Sequence, residues 1–175
     1  TLFVPELNEH YHSVKGARTE SQHIFIDMGL KVSATAARIS LKSVSAPADA
    51  LLTLETAEKE KRPVHYTGIE LYPLAWPEVD ALKYSDNPLF EELHRAAWEE
   101  EVAITPYFTL RKVQADVETI SIDSLLMINK SPFDVVYFDA FAPEKQPGMW
   151  EEKVFRNIHA AMSTDGVLTT YCAKE

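Results

Sequence analysis

Three acids stand where apolar, β-rich runs stop: Glu70 after VHYTGI, Asp116 after YFTLRKVQA and Asp139 after FDVVYF. In an open parallel sheet, ligands bind beyond the carboxyl ends of the strands, so a carboxylate at such an exit faces a ligand. A rim of carboxylates attracts a cation and accepts hydrogen bonds from hydroxyls and amines. Glu70 also follows the segment Lys31–Ala50 by about 20 residues, the spacing at which nucleotide-binding α/β folds set an acid on ribose hydroxyls. Asp139 opens the turn AFAPEKQPGMW. Pro143 and Pro147 each fix a backbone angle there and reduce the entropy lost on ordering. Phe141 and Trp150 suit flat apolar walls of a site, or equally core aromatics. Any one of the acids also reads as a turn cap; three at successive strand exits are more specific.

Other chemistry is poorly supported. Ser121 and Ser124 have no recognisable base partner for a nucleophile. Glu9, His10 and His12 have only a loose metal-ligand spacing, with no second cluster. Cys172 is the sole cysteine, which excludes an internal disulfide and a cysteine-cluster metal site, fits a reducing cytoplasm, and reads as core. Glu99, Glu100 and Glu101 read as an exposed helix end, and Lys153 and Arg156 as a solvated helix face.

The elements around these residues alternate between helix and strand patterns, the mark of an α/β domain. LFVPE reads as a short strand and EHYHSVKGA as loop. Arg18–Met28 is an amphipathic helix with Gly29 as its C-cap. Asp49 caps a helix through LLTLETAEKEK, Val64–Glu70 is a strand, and Asn87-Pro88 opens the helix LFEELHRAAWEEE. YFTLRKVQA is a strand, VETISIDSLLMINK a helix, FDVVYFDA the clearest strand, and MWEEKVFRNIHAAM a helix. GVLTTYC is a strand after an Asp165-Gly166 turn. Lys31–Ala50 is small, polar and unpatterned, and resembles a linker where the first central strand of such a fold belongs. The 175 residues suit one domain, 1–175. No apolar run reaches the ~20 residues of a membrane span and no signal peptide opens the chain, so a cytoplasmic protein is expected. The chain begins at Thr1 without Met, as a fragment would. The net charge of −10 argues against a broad basic nucleic-acid face and leaves room for a cationic substrate or cofactor.

FDAFAPEKQPGMW resembles the Asp-x-Phe-Ala-Pro-x-Lys-x-Pro-x-Met-Trp signature of the methyltransferase family that completes 5-methylaminomethyl-2-thiouridine at the tRNA wobble position. YHSVKGARTESQHIFI is similar to that family's segment before the first strand, with Gly16, Glu20 and His23 matching. GIELYPL resembles its second-strand exit and GVLTTYCA its fifth strand. The resemblance implies a Rossmann-like class I methyltransferase fold, a mostly parallel twisted sheet with helices on both faces, and S-adenosylmethionine as cofactor. It implies that Glu70 holds the ribose hydroxyls, that Asp116 lies near the adenine, that Glu20 borders the pocket, and that Asp139 sits beside the transferred methyl and the substrate amine. Tyr11, Phe141 and Trp150 are candidates to stack on the wobble base, and Lys145 to touch phosphate. The implied partners are the tRNA anticodon loop and a fused or separate FAD-dependent oxidase, with no metal.

Two departures accompany the resemblance. The chain stops at CAKE, before the family's further strands. The family's Glu-x-Gly-x-Gly-x-Gly at the first strand exit is replaced by LKSVSAPA, and no glycine occurs between Gly29 and Gly68. Leu41–Ala48 can be encoded as TTG AAG TCG GTT TCG GCA CCG GCN, which from its third base reads Glu-Val-Gly-Phe-Gly-Thr-Gly. A local frameshift, genuine or a sequencing error, repaired by a second insertion or deletion near Asp49, would account for this. Two other functions fit the same residues: an amine-handling enzyme of this fold, such as a polyamine aminopropyltransferase or amine methyltransferase, and a catalytically inactive binding domain that has lost its glycine loop. The coding DNA from Lys31 to Leu52 is expected to hold the glycine motif in a shifted frame; codons that cannot yield it exclude the frameshift.

Overall fold

The computed structural model describes residues 3–4, 9–10, 14–33, 38–42, 47–81 and 83–170; for 3–4, 9–10, 14–17, 38–42 and 47 it describes the backbone alone. Strands β1 (Phe3–Val4) and β2 (Glu9–His10) form a small antiparallel pair. Helix α1 (Val14–Ser21) runs on as a π-helix over Gln22–Leu30. Then follow β3 (Arg38–Lys42), α2 (Pro47–Glu60), β4 (Val64–Glu70), α3 (Trp76–Asp80), α4 (Pro88–Arg95), β5 (Glu101–Thr105) and β6 (Phe108–Gln114). The described chain closes with α5 (Ile122–Asn129), β7 (Phe133–Asp139), a 3-10 turn over Pro147–Trp150, α6 (Glu152–Ala161) and β8 (Met162–Thr170).

Six strands make the main sheet in the order β5-β6-β4-β3-β7-β8, and only β5 runs antiparallel to its neighbour. From β3 the chain winds outward to β4 and β6 on one side, then returns to β7 and β8 on the other. Strand alternation sends apolar residues to both faces, because successive side chains point opposite ways. Tyr66, Phe108, Leu110, Val135 and Tyr137 join Phe25, Leu51, Leu54 and Phe90 in one core. Ile69, Val113, Val136 and Phe138 join Leu125, Met149, Val154 and Ile158 in a second. The result is a Rossmann-like α/β fold with helices on both faces.

Several local expectations need correction. Lys31–Ala50 is not only a linker: Arg38–Lys42 pairs in parallel with both β4 and β7, in the middle of the sheet. Two neighbouring strands supply the backbone partners that its small, polar composition does not advertise. Gly29 does not end its helix, which runs on to Leu30 with Lys31 N–H donating to the Ile26 carbonyl. No described glycine has positive φ, so Gly29 serves close packing: a Cβ there would lie 3.3 Å from the Tyr137 ring and 3.4 Å from Thr169. Asp165-Gly166 is not a turn before the last strand but lies inside β8. Met162 pairs with Phe133 and Val167 with Val135, so residues 163–166 bulge outward.

Helix α4 stops at Arg95 rather than continuing through Glu101, and Glu101 opens β5 against β6. Lys112 explains the stop. It donates to the His94 carbonyl and lies 4.8 Å from the centre of the Trp98 ring, while Trp98 bridges to the Lys112 backbone. The expected cap at Asn87 is present, accepting from Leu89 N–H; α5 starts only at Ile122, not at Val117, because Ser121 caps it by accepting from Ser124 N–H, which gives those serines a structural use. Asp49 falls within the first turn of α2, not at its cap.

Phe138 is 2% exposed and packs its ring against Trp150 and Phe155, with centroids 5.2 and 4.8 Å away. Phe138→Ala is expected to lower unfolding stability by about 3–5 kcal/mol. Met127→Ala, at a side chain 78% exposed, should change it by less than about 0.5 kcal/mol. Urea unfolding measures both.

Candidate active site at the carboxyl edge of the sheet

Because β3, β4, β6 and β7 are parallel, their carboxyl ends share one edge. The winding reverses between β3 and β7, the kind of point at which ligand crevices form in open α/β sheets. At that point the Cα atoms of Lys42 and Asp139 are partners across the sheet. Glu70 ends β4 opposite Gln114, the last residue of β6, and Asp116 comes two residues beyond it. The three acids therefore stand at the exits of β6, β4 and β7 on one rim, with the β3 exit between the last two.

Their environments differ. Glu70 is 7% exposed, and its Oε1 accepts from Tyr72 N–H at 3.3 Å. Burial in a hydrogen-bonded corner fixes the carboxylate in one direction, as recognition of a hydroxyl pair requires. Asp116 is half-buried and builds a turn: its Oδ1 accepts from Glu118 N–H at 2.9 Å, and its carbonyl accepts from Thr119 and Ile120 N–H. Asp139 is half-buried at the end of the almost wholly buried run of β7.

The loop after Asp139 is held on both sides of Phe141. Phe141 N–H donates to Gln146 Oε1 at 3.0 Å, and its carbonyl accepts from the Trp150 indole N–H at 2.7 Å. Gln146 is itself buried, and its N–H and that of Lys145 both donate to the Ala142 carbonyl. Proline stiffness and these bonds together define one loop conformation, and the half-buried Phe141 ring follows from it. Trp150 packs edge-on against Phe138 and at a tilt against Phe155. The bond from the indole N–H to the Phe141 carbonyl lets Trp150 brace the loop. The Lys145 side chain is exposed beside the loop. Glu20 is exposed on α1 with no hydrogen bond or ion pair among the described residues, whereas its neighbour Arg18 pairs with Glu55 of α2 at 2.8 Å. Tyr11 and His12 lie outside the described residues, as do the four residues after β3, the core of the expected glycine loop, and Cys172.

Two groups escaped sequence reasoning. Lys112 is the first; burial pulls its ammonium down to about 8. Glu118 is the second. Burial, then the charges of Asp116 and Glu151, push its carboxyl above the usual range, and Lys153 opposes them. Its carboxylate occupies the space that a Cβ on Gly148 would need. The available signal was Gly148 itself, a glycine in a loop otherwise built for stiffness. Among the described residues no group of three His, Cys, Asp or Glu side chains gathers as a metal ion would require, and no helix is long and apolar enough to cross a membrane.

A buried carboxylate at the β4 exit, a half-buried one at the β7 exit and a third after β6 make an acceptor and charge set suited to a cationic ligand. Comparison with known proteins agrees. The family described as S-adenosyl-L-methionine-dependent methyltransferase matches residues 87–175, just over half of the chain. The chain is 24% identical over 196 residues to the tRNA 5-methylaminomethyl-2-thiouridine biosynthesis bifunctional protein MnmC of Cupriavidus metallidurans, covering 99% of this chain and 28% of that protein. It is also 24% identical over 139 residues to the protein of that name from a Marinomonas species, covering 71% of this chain and 18% of that protein. The chain thus spans less than a third of the length of these curated relatives. With the parallel sheet, its acid-lined edge and the matched profile in agreement, the chain belongs to the S-adenosyl-L-methionine-dependent methyltransferases, and S-adenosylmethionine is its expected cofactor.

Proposed function

We propose that this protein methylates the aminomethyl nitrogen of 5-aminomethyl-2-thiouridine at the wobble position of tRNA. The observation that carries the reading is Asp139, seated at the crevice between β3 and β7 and followed by the clamped Phe141–Trp150 loop. The name of the two relatives supports the same substrate. The acidic rim suits both a sulfonium and an amine that is cationic in solution.

Bound S-adenosylmethionine supplies an electrophilic methyl group on a sulfonium centre. Glu70 accepts hydrogen bonds from the ribose hydroxyls, and the Asp116 turn borders the adenine. Glu20 borders the pocket from α1. Asp139 accepts a hydrogen bond from the acceptor amine, which turns the nitrogen lone pair away from the carboxylate, and it then takes or relays the proton that the nitrogen loses. Most of the rate comes from holding the nitrogen in line and close, which a stiff loop does better than a mobile one. Phe141 stacks on the splayed wobble base, with Tyr11 and Trp150 as further candidates to do so, and Lys145 meets a phosphate of the anticodon loop. An FAD-dependent oxidase, fused or separate, would supply the amine by removing a larger substituent from it.

Asp139→Ala is expected to reduce kcat by about 100-fold or more while the Kd for S-adenosylmethionine stays within about threefold. Methyl transfer to hypomodified tRNA and isothermal titration measure the two quantities, and equal losses in both would remove Asp139 from the chemistry. Glu70→Ala should weaken cofactor binding by about 1.5–3 kcal/mol, the worth of hydrogen bonds to a charged group; unchanged affinity takes Glu70 out of the site. Methylation of polyamines in place of tRNA would move the assignment to small amines. Absence of cofactor binding by the wild-type chain would leave a binding domain without methyl transfer.

A further inference from the structure

Tyr137 and Asp139 lie two residues apart on β7, so their side chains leave the same face of the sheet. Asp139 ends the strand, and Tyr137 behind it is 1% exposed. Its ring packs against Phe25 and Tyr66, with centroids 4.9 and 6.2 Å away, and its Oη lies 3.2 Å from Thr53 Oγ1 of α2. Thr53 is fully buried, and its Oγ1 donates to the Asp49 carbonyl at 2.6 Å. A hydroxyl has one proton to give. Thr53 gives it to a carbonyl, which only accepts, so Tyr137 is the donor in the bond between the two hydroxyls. Burial pushes the phenol well above the usual tyrosine range, which keeps that proton in place. The result is a directed chain from Tyr137 O–H to Thr53 Oγ1 to the Asp49 carbonyl, buried where water does not compete.

Helix α2 joins two parallel strands, β3 and β4. It therefore starts at the carboxyl edge of the sheet and runs back along it. Its first turn, which holds Asp49, begins at Pro47, soon after β3 ends at Lys42, the Cα partner of Asp139. The hydrogen-bond chain thus ties the turn beyond the β3 exit to the strand that carries Asp139. Those two elements flank the point where the winding reverses.

We propose that Tyr137 is a positioning residue: by donating to Thr53 it sets the spacing between the first turn of α2 and Asp139, and with it how near the sulfonium of S-adenosylmethionine comes to the Asp139 carboxylate. This role rests on the reading of Asp139 as the acid beside the transferred methyl. Apolar packing of α2 on β7 has no direction of its own. Two hydrogen bonds in series are satisfied at one height of the helix, and losing either leaves a buried polar group without a partner.

Isothermal titration of the full chain with S-adenosylmethionine and with S-adenosylhomocysteine reads the spacing without needing methyl transfer. The second ligand lacks the methyl and the positive charge, so only the first feels its distance from a carboxylate. Tyr137→Phe keeps the ring and removes the donor; Thr53→Val keeps the shape and removes the acceptor. Each should weaken S-adenosylmethionine about tenfold and S-adenosylhomocysteine less than about threefold. The double variant should fall no further than the worse single one, because both remove the same bond. Thr53→Ser, which keeps the hydroxyl, should return the ratio of the two affinities to its wild-type value. Equal weakening of both ligands marks general loosening and overturns the role. Additive losses in the double variant, a ratio unchanged in both single variants, no recovery with Thr53→Ser, or a wild-type chain that binds neither ligand would overturn it too. Failure to methylate tRNA while the ratio shifts as expected counts against the substrate assignment alone.

Discussion

Everything at the proposed site depends on β3 finding parallel partners on both sides. Ile39 is paired with Tyr66 of β4 and with Val135 of β7, so five residues of modest composition carry the centre of the sheet. Parallel pairing puts every carboxyl end on one edge. The reversal of winding at β3 keeps the chain from crossing over that edge between β3 and β7, and the crevice is the consequence. If β3 were absent, β4 and β7 would have no common edge, and Glu70 and Asp139 would have no reason to face one volume.

The edge then meets a second constraint. A row of carboxylates repels itself, and each must be held by something other than its neighbours. Glu70 is held by burial and a backbone N–H, and Asp116 by the turn it builds. Asp139 is carried by the strand beneath it and by a loop whose polar groups are paired internally. A buried glutamine side chain is expensive unless bonded, and Gln146 satisfies Phe141 N–H as it is satisfied. The indole of Trp150 does the same for the Phe141 carbonyl while its faces pack in the core. Prolines reduce the entropy to be lost, and these bonds select which of the remaining conformations forms.

The parts of this arrangement that were legible in the sequence are those with strong local signals. β4 and β7 end at Glu70 and Asp139 as their apolar runs indicate, and Asn87-Pro88 opens α4. β3 was illegible because its alternation, Arg38 to Lys42, is only five residues long inside a small, polar stretch, and its pairing energy comes from neighbours distant in the chain. The end of α4 was missed because Lys112, 18 residues downstream, binds its last turn. Gly29 was misread as a cap because a glycine's local meaning, freedom of φ, hid its tertiary one, the absence of a side chain against Tyr137. Trp150 had two readings of equal weight, and only its contacts with Phe138, Phe155 and the Phe141 carbonyl put it under the loop.

By itself, the sequence determined which side chains end the strands and which loop would be stiff, because strand periodicity, proline geometry and turn preference act within a few residues. Tertiary structure decided that the three acids share one rim, that an unpatterned segment is the central strand, and that Glu118 reaches Gly148. Each of those rests on contacts between segments far apart in the chain, and such contacts are set by sheet order and packing rather than by any local preference.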